Sequence, residues 1–182
     1  MEKVSNQKLI QPITLIGPES TGKTTLCEIL APRYNTVYVP EYLREYSQKK
    51  WDAEQKPCAW EDMPLVLKGQ LEDEKKYSSL ANNFIFLDTN PLTLYIYSHI
   101  YFQKAPQEIV EACLNRNPKE YYLLTDVDVP WEFDVLRDRP NDREYIFDLM
   151  KEELLKRELP FSVISGTVSE RVKQVDDLLG KF

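Results

Sequence analysis

Residues 17–24 read Gly17-Pro18-Glu19-Ser20-Thr21-Gly22-Lys23-Thr24. The run fits the pattern G-x-x-x-x-G-K-[ST]. The short apolar stretch Ile13-Thr14-Leu15-Ile16 precedes it, and a helical pattern from about Thr24 to Arg33 follows. Strand, loop and helix in that order are what the chemistry of phosphate binding needs. Gly17 and Gly22 are read as permitting backbone angles closed to other residues. The loop then aims successive amides inward as a nest for phosphate oxygens. The helix start adds its partial positive charge. Cofactor contacts are therefore assigned to Gly17, Glu19, Ser20, Thr21, Gly22, Lys23, Thr24 and Thr25. Lys23 is the residue expected to reach the β- and γ-phosphates of a nucleoside triphosphate, and the Thr24 hydroxyl is expected to ligate Mg²⁺.

Outward from the loop, apolar runs alternate with helical patterns. Strands are expected at residues 13–16, 37–39, 84–87, 121–124 and 161–164. Helices are expected at 24–33, 41–50, 65–81, 92–102, 106–114, 143–159 and 169–179, with Ser169 as the cap of the last. Residues 57–64 read as a loop. Residues 126–142 hold two prolines and no clear period, and read as a loop or lid within about 127–145. The expectation is an α/β fold: a P-loop NTPase-type three-layer sandwich with about five mainly parallel strands and helices on both faces. One domain over residues 1–182 fits the length.

Composition excludes several classes. The net charge of -7 disfavours nucleic-acid binding, which needs a basic face. No apolar run reaches the roughly 20 residues of a membrane helix. The opening MEKVSNQKLIQP has no apolar core of a signal peptide. Cys27, Cys58 and Cys113 form no paired framework, which fits a cytoplasmic location. His99 stands alone inside an aromatic run, so it is read as a packed or rim residue rather than a ligand or catalytic base.

An acidic metal partner is expected at the tip of another apolar strand. Asp88 after Phe84-Ile85-Phe86-Leu87 is favoured over Asp126 after Tyr121-Tyr122-Leu123-Leu124-Thr125. No N-K-x-D stretch reads guanine, which leaves a small-molecule kinase ahead of a switch GTPase. An acceptor hydroxyl needs a base, and Glu41 or Asp88 fills that role. Arg137, Arg139 and Arg143 are candidates for the phosphate side, and Arg137 and Arg143 are taken as catalytic. Tyr42, Arg44, Asn90, Trp131 and Asp134 join Glu41 and Asp88 as substrate contacts. Trp131 is suited to stacking on a ring and Asp134 to ribose hydroxyls. A kinase for another nucleoside or nucleotide, or a nucleotide-dependent ATPase or binding protein, are the alternative readings.

Four motifs in order carry a resemblance: G-P-E-S-T-G-K-T-T-L from Gly17, V-P-E-Y-L-R-E-Y from Val39, F-L-D-T-N-P-L-T from Phe86 and D-V-P-W-E-F-D-V-L-R-D from Asp128. From about Ile13 to Leu179 the chain resembles the ribosylnicotinamide kinase domain of the NadR-type NAD-salvage proteins, a P-loop, AAA-like ATPase/kinase. The resemblance implies ATP-dependent phosphorylation of a nucleoside substrate, nicotinamide riboside, to nicotinamide mononucleotide. It implies ATP and Mg²⁺ as cofactors and places Asp88 at metal and acceptor. Asn90 stands where the family often has a second aspartate, and Pro40 where some members have tryptophan. The larger proteins fuse further domains for which 182 residues leave no room, so a stand-alone kinase is expected.

Overall fold

The computed structural model describes residues 10–182, so most of the stretch read for a signal peptide lies outside the described residues. The apolar runs form β1 (Gln11–Ile16), β2 (Tyr38–Val39), β3 (Phe84–Asp88), β4 (Tyr121–Thr125) and β5 (Phe161–Ile164). They make one sheet in the order β2-β3-β1-β4-β5. Every strand pairing is parallel, with Leu15 opposite Asp88 and Ile16 opposite Leu124. The carboxyl ends of all strands therefore emerge along one edge, where open α/β sheets hold ligands.

The helices are α1 (Lys23–Arg33), α2 (Tyr42–Glu54), α3 (Met63–Ser78), α4 (Pro91–Phe102), α5 (Gln107–Leu114), α6 (Arg143–Lys156) and α7 (Val168–Leu179). Strand residues alternate between two buried faces. Ile13, Leu15, Phe86, Leu123 and Ile164 pack on α1 and α7 through Leu26, Leu30, Val175 and Leu179. Ile16, Tyr122 and Leu124 pack on α4 and α6 through Leu92, Ile96, Ile146, Met150 and Leu154. Because both faces are covered, the strands read as unbroken apolar runs. The expected three-layer α/β arrangement is the one observed. No helix among the described residues is long and apolar enough to cross a membrane.

Three of the boundaries that differ from expectation have a plain local cause. α2 runs on to Glu54 and stops at Gln55, whose φ of 53° is left-handed. It buries no residue fully, so no apolar stripe marks its length. α3 begins before Pro64, which sits in its first turn where a missing N–H costs nothing. The cap of α7 is Thr167, not Ser169. Thr167 and Glu170 form a reciprocal capping box, with the Thr167 amide donating to Glu170 Oε2 at 2.8 Å. Ser169 falls inside the first turn, directly beside Glu170, where it cannot make that exchange.

Candidate active site

The loop between β1 and α1 is held from outside. Lys23 Nζ donates to the Gly17 and Pro18 carbonyls at 2.9 and 2.7 Å. Arg143 Nη2 donates to the Ser20 carbonyl at 2.9 Å, and Arg171 Nη1 to that of Thr21 at 2.6 Å. The Thr21 hydroxyl donates to the Pro18 carbonyl at 2.8 Å. With these carbonyls committed, no backbone amide from Glu19 through Thr24 has an acceptor among the described residues. A run of amides without protein acceptors suits an anion. The two glycines serve different needs. Gly22 has φ 80°. Gly17 is required by close approach instead, since a Cβ there would stand 2.1 Å from Thr125 Oγ1.

Thr24 opens the helix beside the tip of β3, and its hydroxyl donates to Asp88 Oδ2 at 2.5 Å. Asp88 is 1% exposed, and its Oδ1 is buried without a partner. Burial pushes the Asp88 carboxyl up, against the pull of Lys23 and the Thr24 hydroxyl. An orphaned carboxylate oxygen next to a hydroxyl is a donor set that suits a hard divalent cation. Asp126 instead accepts its neighbour's amide, Val127 N, at 2.7 Å. Thr89, next after Asp88, holds φ 73°, a strained angle for a β-branched residue, while its amide donates to the Leu15 carbonyl at 3.1 Å.

A cavity of about 1300 Å³ runs from this loop along the strand ends. Glu41 follows β2 on its wall. Burial and the Asp88 charge push its carboxyl up to about 7, against Lys23 and Arg44. It can thus hold or release a proton near neutrality. Arg44 and Arg137 also line the cavity, as do Glu19, Ser20 and Thr25. Arg137 donates to the Glu132 carbonyl at 3.0 Å. Arg44 is ion-paired with Asp134, so these two expected substrate contacts face each other.

Asp88 and Asp134 do not themselves line the cavity, and three further expected substrate contacts do not reach it either. Tyr42 seats its ring on Gly69, where a Cβ would meet Tyr42 Cζ at 2.1 Å. Asn90 is fully buried and caps α4: its Oδ1 accepts from Leu92 N, and its Nδ2 donates to Glu120 Oε1 and the Tyr122 hydroxyl, each at 3.0 Å. Trp131 sits by Arg143, whose guanidinium carbon is 5.9 Å from its ring centre. Arg143 is 7% exposed and braces the Ser20 and Val129 carbonyls, so its placement is that of a strut rather than a free phosphate ligand. His99 is exposed and does not line the cavity, with its ring 4.6 Å from that of Tyr95.

The structure adds residues that the linear motifs did not mark. Tyr97 and Tyr101 of α4 stack at 6.1 Å along the cavity, and the Tyr101 hydroxyl donates to Asp138 at 2.5 Å. Arg171 binds Asp128 and the Gly166 and Thr21 carbonyls, joining the phosphate loop to the ends of β4 and β5. The spacing of an aromatic helix does not distinguish a cavity wall from a core.

The profile of a family described as an AAA domain matches residues 12–171. Over 179 residues the chain is 25% identical to the trifunctional NAD biosynthesis/regulator protein NadR of Salmonella typhimurium, covering 94% of this chain and 43% of that protein. The chain thus spans less than half the length of this relative. A crystal structure of NadR protein in complex with NR superposes with a TM-score of 0.76 at 18% identity, covering 94% of this chain and 51% of the other. A second, NadR protein with NAD and AMP-PNP, gives 0.67 at 20% identity, covering 87% and 44%. The resemblance read from the four motifs agrees with these similarities, and the superpositions extend it to the fold.

Proposed function

Since the chain belongs to the AAA-domain family over residues 12–171, we propose that it is an ATP-dependent kinase that phosphorylates nicotinamide riboside to nicotinamide mononucleotide. The observation that carries this reading is the group at the strand tips: Thr24 bonded to Asp88, an unpartnered Asp88 oxygen, and Glu41 poised near neutrality. The similar NadR structures with NR and with AMP-PNP support the acceptor and the donor.

In this reading the unpartnered amides of residues 19–24 and the start of α1 hold the triphosphate. Lys23 leaves the Gly17 and Pro18 carbonyls to pair with the outer phosphates. Thr24 and Asp88 hold Mg²⁺, which supplies charge neutralisation to the phosphates when bound. The primary hydroxyl of the ribose gives its proton to Glu41 or Asp88 as its oxygen bonds to the terminal phosphorus. The bond from that phosphorus to ADP breaks. Arg137 stands on the cavity wall, able to face the transferring group. Residues 127–145 act as the lid of a single kinase domain. A cytoplasmic setting keeps Cys27, Cys58 and Cys113 as free thiols.

The test is ADP release from ATP and magnesium across a nucleoside panel. Nicotinamide riboside should stimulate most, and Lys23→Ala should lower the rate at least about 100-fold. Stimulation only by another nucleoside overturns the acceptor assignment. Stimulation by none overturns the kinase.

A further inference from the structure

Glu19 is an acid inside a loop built for polyphosphate. Its Oε2 is buried and has no hydrogen-bond partner among the described residues. Burial and the nearby charge of Asp138 push its carboxyl up, while Lys23 and Arg137 pull it down. Glu19 lines the same cavity as Glu41, Tyr97 and Tyr101. There the stacked rings of Tyr97 and Tyr101 form a wall, edged by Asp138. The Thr93 hydroxyl, on a side chain 1% exposed, lines the same cavity without a partner.

The cations on this side have protein partners, Arg137 on the cavity wall through the Glu132 carbonyl. Lys23 is turned back onto its own loop, Arg44 is paired with Asp134, and Arg139 with Asp142 at 2.8 Å. Glu19, Glu41 and Asp138 line one chamber with the stacked tyrosines, where an ionised carboxylate rewards a positive group placed beside it.

We propose that Glu19, with Asp138, selects an acceptor whose ring carries a fixed positive charge. The inference rests on the kinase reading above and names what in the site distinguishes the pyridinium riboside from neutral nucleosides of the same size. The selectivity resides in the phosphate loop itself, so one loop both holds the donor and discriminates the acceptor.

The experiment compares nicotinamide riboside with its dihydro form, which has the same ribose and an uncharged ring. Turnover and, without ATP or metal, calorimetric binding are measured for the wild type, Glu19→Gln and Asp138→Asn. Asp138 is an exposed side chain, so its variant serves if Glu19→Gln fails to fold. The wild type should prefer the cation on the order of 10- to 100-fold. Each variant should lose much of that preference through a rise in KM and Kd for the cation that the neutral form does not share. Equal use of both forms by the wild type, or a preference that survives both substitutions, overturns the proposal alone. Weakened ATP binding in Glu19→Gln does the same, by placing Glu19 on the donor. Wild-type transfer only to neutral nucleosides overturns the kinase assignment and this proposal together.

Discussion

Glu41 follows the second strand with its carboxyl shifted from 4.5 up to about 7, first by burial and then by the Asp88 charge. The folded chain therefore binds that proton more tightly than the unfolded chain does. Its contribution to stability is fully present below the unfolded value of about 4.3 and is lost as pH rises through 7. In protein free of nucleotide and magnesium, Glu41→Gln should melt above the wild type at pH 8, and the gap should close as pH falls toward 5. A gap independent of pH would show that the carboxyl is not shifted. Residues next to each other in the motifs meet different fates. Glu41 reaches the cavity while Tyr42 is spent on Gly69. Asp88 keeps an open oxygen while Asn90 uses its side chain to cap α4. A motif is linear and gives no sign of which side chains the packing will consume.

Between elements, the Arg44–Asp134 pair ties α2 to residues 126–142, which form no regular structure. The Arg44 bond holds the Asp134 carboxyl below its ordinary range, and the Leu136 amide adds to it. This contribution is present above the ordinary carboxylate pKa and is lost as pH falls below about 4. With side chains 40% and 23% exposed, the pair is worth at most about 1 kcal/mol, so melting should barely move. Local order should respond instead. In Asp134→Asn, amide exchange across 126–142 should quicken at neutral pH, and the wild type should match it only in acid. Unchanged exchange would show that the strap does not hold the segment. Legibility at this scale followed burial. The strands were plain because both of their faces are covered. The end of α2 was hidden because none of its residues is fully buried. The cap of α7 was misplaced because a serine directly before a glutamate looked sufficient, while the reciprocal pair needs a spacing of three. The cavity face of α4 was read only as aromatic, since packing and lining share one period.

Across the whole molecule, ligand contacts gather from the tips of several strands onto one edge, and Arg171 links three of the segments there. A ligand in the loop should thus be felt globally. ATP at 100 times its Kd should add about 2.7 kcal/mol, raising the melting temperature by roughly 5–10 °C for a chain of this size. Lys23→Ala should blunt that rise, and a wild-type melt indifferent to ATP would show that the loop does not bind it. The seat of Tyr42 on Gly69 reaches further than its place behind the cavity suggests. The gauge between α2 and α3 is set by a lone hydrogen where other residues branch. Alanine there would work as a shim, prising α2 outward and carrying Glu41 off the tip of β3 without touching any ligand.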